Sequence, residues 1–208
     1  GMGAKELSCG YDFTFGKGGA GTTETLCRVA ERHGVKVNVV EPVTLDGEPV
    51  SSTRIRQAIL EGKMDEASRM LGRRFCLRLK VEHGNCIGRL LDFPTINQSF
   101  PQHHIVPRYG VYSTVVNVAG KLYGGVTNVG VKPTVGSDRP LSETYILDYS
   151  GDLYGQTVEV YFFRFVRPEQ KFGSIAELKE QIARDKEDVA QEVAQNIEQM
   201  LFLDSRAQ

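Results

Sequence analysis

The chain has 208 residues, with 25 Lys+Arg against 26 Asp+Glu and a net charge of −1. That length buries a core without disulfide support, and the balanced charge offers no basic footprint for nucleic acid or another polyanion. Cys9, Cys27, Cys76 and Cys86 show neither a Cys-x-x-Cys pair nor zinc-type spacing to a histidine, no apolar run approaches the roughly 18 residues of a membrane span, and no export signal opens the chain, which together point to a cytoplasmic protein with reduced thiols.

Up to about residue 72 the pattern is mixed α/β. The glycine cluster Gly16-Lys17-Gly18-Gly19-Ala20-Gly21 suggests a phosphate loop, but Thr22-Thr23 stand where a Walker loop needs Lys and then Ser or Thr, so a connector is favoured. Thr23 can cap a helix running through Leu26, Val29 and Ala30 to Gly34, and Val35 to Val40 then alternates as a strand. Ser52 caps a helix from Thr53 to Glu61 closed by Gly62. A second helix, Met64 to Leu71, is closed by Gly72 and reads as a linker.

From Phe75 onward the period changes to two: Val111, Ser113, Val115 and Asn117 face one way, and Tyr112, Thr114, Val116 and Val118 the other. Further strand runs at 121–128, 143–149 and 157–166 are bounded by Gly, Pro, Asp and Ser, the spacing of a sandwich or barrel. A closed antiparallel barrel is favoured. Ser174 and Glu177 then form a capping box before a long helix whose stripe is Ile175, Leu178, Ile182, Val189, Val193 and Ile197, and this helix must pack on the barrel. The shift in pattern near residues 72 to 75 divides the chain into 3–72 and 73–208.

Four stretches carry the chemistry. In Gly88-Arg89-Leu90-Leu91-Asp92-Phe93-Pro94-Thr95-Ile96-Asn97, Pro94 fixes the backbone beside Thr95, and Thr95 and Asn97 offer the oxygen ligands a hard cation prefers. Asn128 lies in Thr127-Asn128-Val129-Gly130-Val131-Lys132-Pro133-Thr134. Glu143 lies just ahead of Asp148-Tyr149-Ser150-Gly151-Asp152-Leu153-Tyr154-Gly155, and Arg167-Pro168-Glu169-Gln170-Lys171-Phe172 ends the strand region.

These stretches, in this order, resemble the bacterial bifunctional riboflavin kinase/FAD synthetase family. The first resembles the family's Gly-Arg-x-Leu-Gly-Phe-Pro-Thr-Ala-Asn signature, and Gly10 to Gly18 and Val50 to Arg56 resemble the end of its adenylyltransferase domain. The resemblance implies a mainly β fold, a closed riboflavin kinase barrel with a long C-terminal helix over 73–208. Ahead of it, residues 3–72 are a truncated nucleotidylyltransferase-like segment. It also implies roles: Glu143 as the catalytic base, Gly88, Arg89, Thr95, Asn97 and Asn128 at ATP, Thr95 and Asn97 at magnesium, and Arg167 and Phe172 at the flavin. The flavin role is favoured by the resemblance alone; the alternative is structural, the guanidinium tying the last strand to the helix. The implied substrates are riboflavin and MgATP, the products FMN and ADP, and the incomplete N-terminal segment invites self-association.

The chain departs from the family pattern in places. Asp92 replaces a glycine beside the ATP phosphates, a glycine usual near Cys86 is missing, and Gly173 replaces an aspartate. No His-x-Gly-His element is present for adenylyl transfer, so FAD synthesis is expected to be absent. Two rival readings follow: an impaired paralogue that binds flavin or nucleotide without turnover, and an FAD synthetase fragment that needs its missing half.

Overall fold

A computed structural model of the protein describes residues 3–83, 95–131 and 139–206, with side chains through 198. The signature glycine Gly88, Arg89, Asp92 and Cys86 lie outside the described residues, as do Lys132, Pro133 and Thr134. The chain separates into two compact units, Gly1–Val50 and Ser51–Gln208.

In the first unit, β1 (Glu6–Gly10) and β4 (Lys36–Val40) pair in parallel. Helix α1 (Thr23–Arg32) packs on β4. Its cap is Thr22, whose hydroxyl accepts from the Thr25 N–H at 3.4 Å, one residue earlier than expected. Both threonines carry the hydroxyl, but Thr22 has the extended backbone of an N-cap. Two short hairpins complete the unit: β2 (Thr14–Phe15) with β3 (Gly21–Thr22), and β5 (Thr44–Leu45) with β6 (Glu48–Pro49). Leu7, Tyr11, Phe13, Val29, Val40 and Val43 are exposed here, whereas parallel sheets are ordinarily covered on both faces.

The second unit opens with α2 (Ser52–Glu61) and α3 (Met64–Leu71), stopped by Gly62 and Gly72 in left-handed conformation. Ser51, not Ser52, caps α2, its hydroxyl accepting from the Arg54 N–H. Helix α3 is no linker. Met64 and Ala67 are buried, and the helix packs on the strands that follow.

Those strands are β7 (Phe75–Lys80), β8 (Thr95–Ser99), β9 (Gly110–Val118), β10 (Lys121–Val131), β11 (Pro140–Ile146) and β12 (Thr157–Arg167). They form one antiparallel sheet in the order β7-β12-β9-β10-β11-β8. The expected closed barrel is corrected here: the sheet is a curled half-barrel with two edges, β7 and β8. Among the described residues a single bridge, Glu82–Asn97, joins the chain after β7 to β8. The strand β7 spends its six residues laddering with β12 and ends at Lys80, before it could ladder with β8.

The sheet has two distinct faces. Leu77, Tyr112, Val116, Val160 and Phe162 fill the inner one, together with the hydroxyls of Thr114, Thr127 and Thr144, linked at 2.9 and 2.8 Å. On the outer face Val111, Val126, Tyr145 and Leu147 pack against Val189, Val193 and Ile197 of α4 (Ile175–Arg206). The expected capping box forms at its start: the Glu177 N–H donates to the Ser174 hydroxyl, and the Gly173 N–H to the Glu177 carboxylate. The apolar stripe is buried only along its later part, since Ile175 is 71% exposed.

Contact between sheet and helix requires glycine at 124, where a Cβ would lie 2.2 Å from Val193 Cγ1 and 2.9 Å from Leu147 Cδ1. Gly124→Ala is therefore expected to push α4 off the sheet and cost about 1–3 kcal/mol, the usual penalty of overpacking. Urea unfolding measures it, and wild-type stability in the variant would contradict this packing.

Candidate active site

Antiparallel register places the candidate residues. Asn97 on β8 faces Glu143 on β11, and Glu143 faces Asn128 on β10. Asn128 in turn faces Val111 on β9, and Val111 faces Arg167 on β12. Directly opposed residues share a face, with Cβ atoms about 5 Å apart. Asn97, Glu143, Asn128 and Arg167 therefore lie in one row across five strands, on the face that α4 packs against. Four strand spacings, about 19 Å, separate its ends. Asn97, Glu143 and Asn128 are each half-buried.

Thr95 faces Tyr145 and lies two residues from Asn97 on the same side of β8. It lines a pocket of about 200 Å³ with Val81, Ile96, Ile146 and the turn from Tyr149 to Tyr154. That turn is held by Asp152, whose carboxylate accepts the Tyr154 N–H at 2.9 Å, and the Tyr154 ring stacks on His83 at 3.8 Å. The hydroxyl of Thr95 and the amide oxygen of Asn97 are neutral, hard donors carried two residues apart on one face of β8, a set that suits magnesium already bound to phosphate and water.

At the other end of the row Arg167 is engaged by α4. Its Nε and Nη2 donate to the Asp185 carboxylate at 2.9 and 2.7 Å, and its Nη1 donates to the Pro168 carbonyl at 3.1 Å. Asp185 is 2% exposed and also accepts from Gln181 Nε2. A fork of this kind fixes the guanidinium plane. The Phe172 ring lies 6.0 Å from that guanidinium and borders a second pocket of about 200 Å³ with Glu177, Glu180, Gln181 and Arg184. A Cβ on Gly130 would meet the Glu169 carboxylate, so Glu169 lies against the same face, two residues along from Asn128.

The structure thus brings Asn97, Glu143 and Asn128 together with Thr95 nearby, and it sets Arg167 and Phe172 apart from them beside the helix. Gly88 and Arg89 lie outside the described residues. Sequence reasoning missed Asp185. Its one available signal was position, four residues before Val189 and eight before Val193, a charge within the apolar stripe.

The riboflavin kinase family model matches residues 71–193, and the FAD synthetase model residues 1–54. The chain is 35% identical over 185 residues to the bifunctional riboflavin kinase/FMN adenylyltransferase of Listeria monocytogenes, covering 88% of this chain and 59% of the relative. It is 38% identical over 186 residues to the protein of the same description from Pseudomonas fluorescens, covering 89% of this chain and 60% of that one. A crystal structure described as a macrolide-efflux protein from Streptococcus pneumoniae matches with a TM-score of 0.80 at 35% identity, over 91% of this chain and 61% of the other. The chain accordingly spans about three fifths of the length of the curated relatives it matches.

Removing one partner of a buried pair strands the other. Asp185→Ala is expected to destabilise the protein by about 3 kcal/mol, and adding Arg167→Met should restore part of that loss. Denaturant midpoints for the two singles and the double check it. Additive losses would mean that the pair is not coupled.

Proposed function

The chain belongs to the riboflavin kinase family, and we propose that it transfers the γ-phosphoryl group of ATP to the 5′-hydroxyl of riboflavin, releasing FMN and ADP. The observation that carries this reading is the row itself. A carboxylate held between two amides on a rigid ladder, with cation-type oxygens on the neighbouring strand, is what phosphoryl transfer asks of a protein, because that chemistry is mostly positioning and charge neutralisation.

In this reading Glu143 accepts the proton of the attacking hydroxyl, which requires hydrogen-bond reach to it. Asn128 and Asn97 flank the carboxylate and orient the groups on either side. Thr95 and Asn97 hold magnesium, which would neutralise charge on the phosphates, while Gly88 and Arg89 contact the triphosphate as the family signature implies. Arg167 and Phe172 border the flavin. A ligand with its ring system at one end and its reacting hydroxyl at the other suits a row whose base and arginine stand three strand spacings apart, about 14 Å. The fork to Asp185 keeps the Arg167 guanidinium from swinging toward the phosphates.

Residues 73–208 carry this activity. Residues 3–72 make no FAD, because none of the four histidines sits in a His-x-Gly-His element. Among the described residues no helix is long and apolar enough to cross a membrane, and the scattered cysteines favour the cytoplasm. The exposed apolar side chains of the first unit support self-association through it.

Two measurements test this reading. Purified protein with MgATP and riboflavin is expected to form FMN. Glu143→Gln should lower kcat by about 10²-fold or more, as loss of a general base does, and leave riboflavin binding in place. Supplied with FMN and ATP, the wild type should form no FAD. A wild-type chain that binds riboflavin but makes no FMN sinks the kinase reading. Separately, sedimentation at rising concentration is expected to show reversible association that Val43→Glu weakens, and a strictly monomeric chain would remove the self-association.

A further inference from the structure

Among the described residues the sheet does not close at the seam between β7 and β8, and Asn97 stands on that seam. The Glu82 N–H donates to the Asn97 carbonyl at 2.8 Å, the isolated bridge noted above. Gln98, the next residue, faces the interior and is 0% exposed. Its Nε2 donates to the Leu79 carbonyl at 2.8 Å and to the Val158 carbonyl at 3.0 Å. Both partners are pure acceptors, so the orientation of the amide follows from them. Ser99 then donates its hydroxyl to the Glu82 carboxylate at 2.6 Å. Three successive residues of β8 therefore reach across the seam with three different groups: a main-chain carbonyl, a buried amide and a hydroxyl.

The buried amide is a costly choice. Among the described residues Gln98 Oε1 and Ser142 Oγ, opposed on the inner face, are buried without a hydrogen-bond partner, and an aliphatic residue at 98 would leave no such acceptor unsatisfied. What the amide adds is geometry. It supplies two cross-seam bonds where, among the described residues, the backbone supplies one bridge. We propose that Gln98 is a positioning residue, a clasp across the open seam that fixes β8 and with it Thr95 and Asn97. This rests on the kinase reading insofar as that reading gives Thr95 and Asn97 to phosphate-bound magnesium.

The test uses the full chain. Gln98→Leu keeps similar volume and removes both bonds, and Ser99→Ala removes the exposed hydroxyl bond with little risk to folding. Amide hydrogen exchange at Glu82 is expected to accelerate roughly tenfold in Gln98→Leu beyond the change in global stability, and to a lesser degree in Ser99→Ala. The KM for MgATP should rise about tenfold while the riboflavin Kd stays within about twofold, because displacement of β8 misplaces the phosphate ligands and leaves the flavin end of the row alone. Ile59→Ala, a buried change on α2 rather than on β7, β8 or β12, should destabilise the protein without that selective rise. Unchanged Glu82 exchange in both variants overturns the proposal, as does a loosened seam with an unmoved KM for MgATP. A wild type that makes no FMN fails the kinase reading instead, and the exchange measurement still decides whether Gln98 holds the seam.

Discussion

Successive residues of a strand point to opposite faces, so four ladders must hold their register together for Asn97, Glu143, Asn128 and Arg167 to share one. A slip of one residue between β10 and β11 would turn Glu143 inward, into the layer of Thr127 and Thr144. There a carboxylate would meet hydroxyls 0% exposed to solvent, at a cost far above any loss of packing. The hydroxyl chain from Thr114 through Thr127 to Thr144 opposes such a slip from within. Each bond contributes about 1 kcal/mol net, but losing one leaves buried polar atoms unsatisfied.

Strand β12 shows how register is adjusted rather than merely kept. Arg164 and Arg167, three residues apart, would face opposite sides of a regular strand. Irregularities between Phe162 and Arg164 and again between Phe165 and Arg167 bring both onto the face of α4. There Arg164 pairs with Glu192 and Arg167 with Asp185, two turns apart along the helix. The exposed Arg164 pair adds little energy. The buried Arg167 pair sets where the helix lies, and so what closes over the end of the row.

Much of this was legible in the amino-acid order. The period-two alternation of 111–118 named both faces of β9 correctly, and the capping box at Ser174 and Glu177 located the start of the long helix. Closure was not legible, because alternation looks the same in an open and a closed sheet. What decides it is how far β7 extends past Lys80, which no local pattern encodes. The helix caps moved by one residue for a related reason: in Ser51-Ser52 and Thr22-Thr23 both neighbours can cap, and the backbone entering the helix chooses. Asp185 and Gln98 were hidden more deeply. Each is a polar residue whose partner lies on a distant strand: Asp185 showed only as a charge within the apolar stripe of the helix, and the spacing around Gln98 carries no trace of its partners.

The same arrangement explains why the candidate base stands mid-ladder while the candidate cation ligands stand at an edge. Glu143 on β11 has strands on both sides, and its backbone is fixed by two ladders. A proton acceptor gains from that rigidity, since its reach to the hydroxyl tolerates little drift. Thr95 and Asn97 sit on β8, which among the described residues is laddered on one side only and joined on the other by a single bridge and side chains. A site for a solvated cation and a phosphate chain that must enter and leave cannot be roofed by a further strand. On the proposed reading, the edge left without a ladder among the described residues would give access, and the polar clasp of Gln98, Ser99 and Glu82 would supply the order that a ladder would otherwise have given.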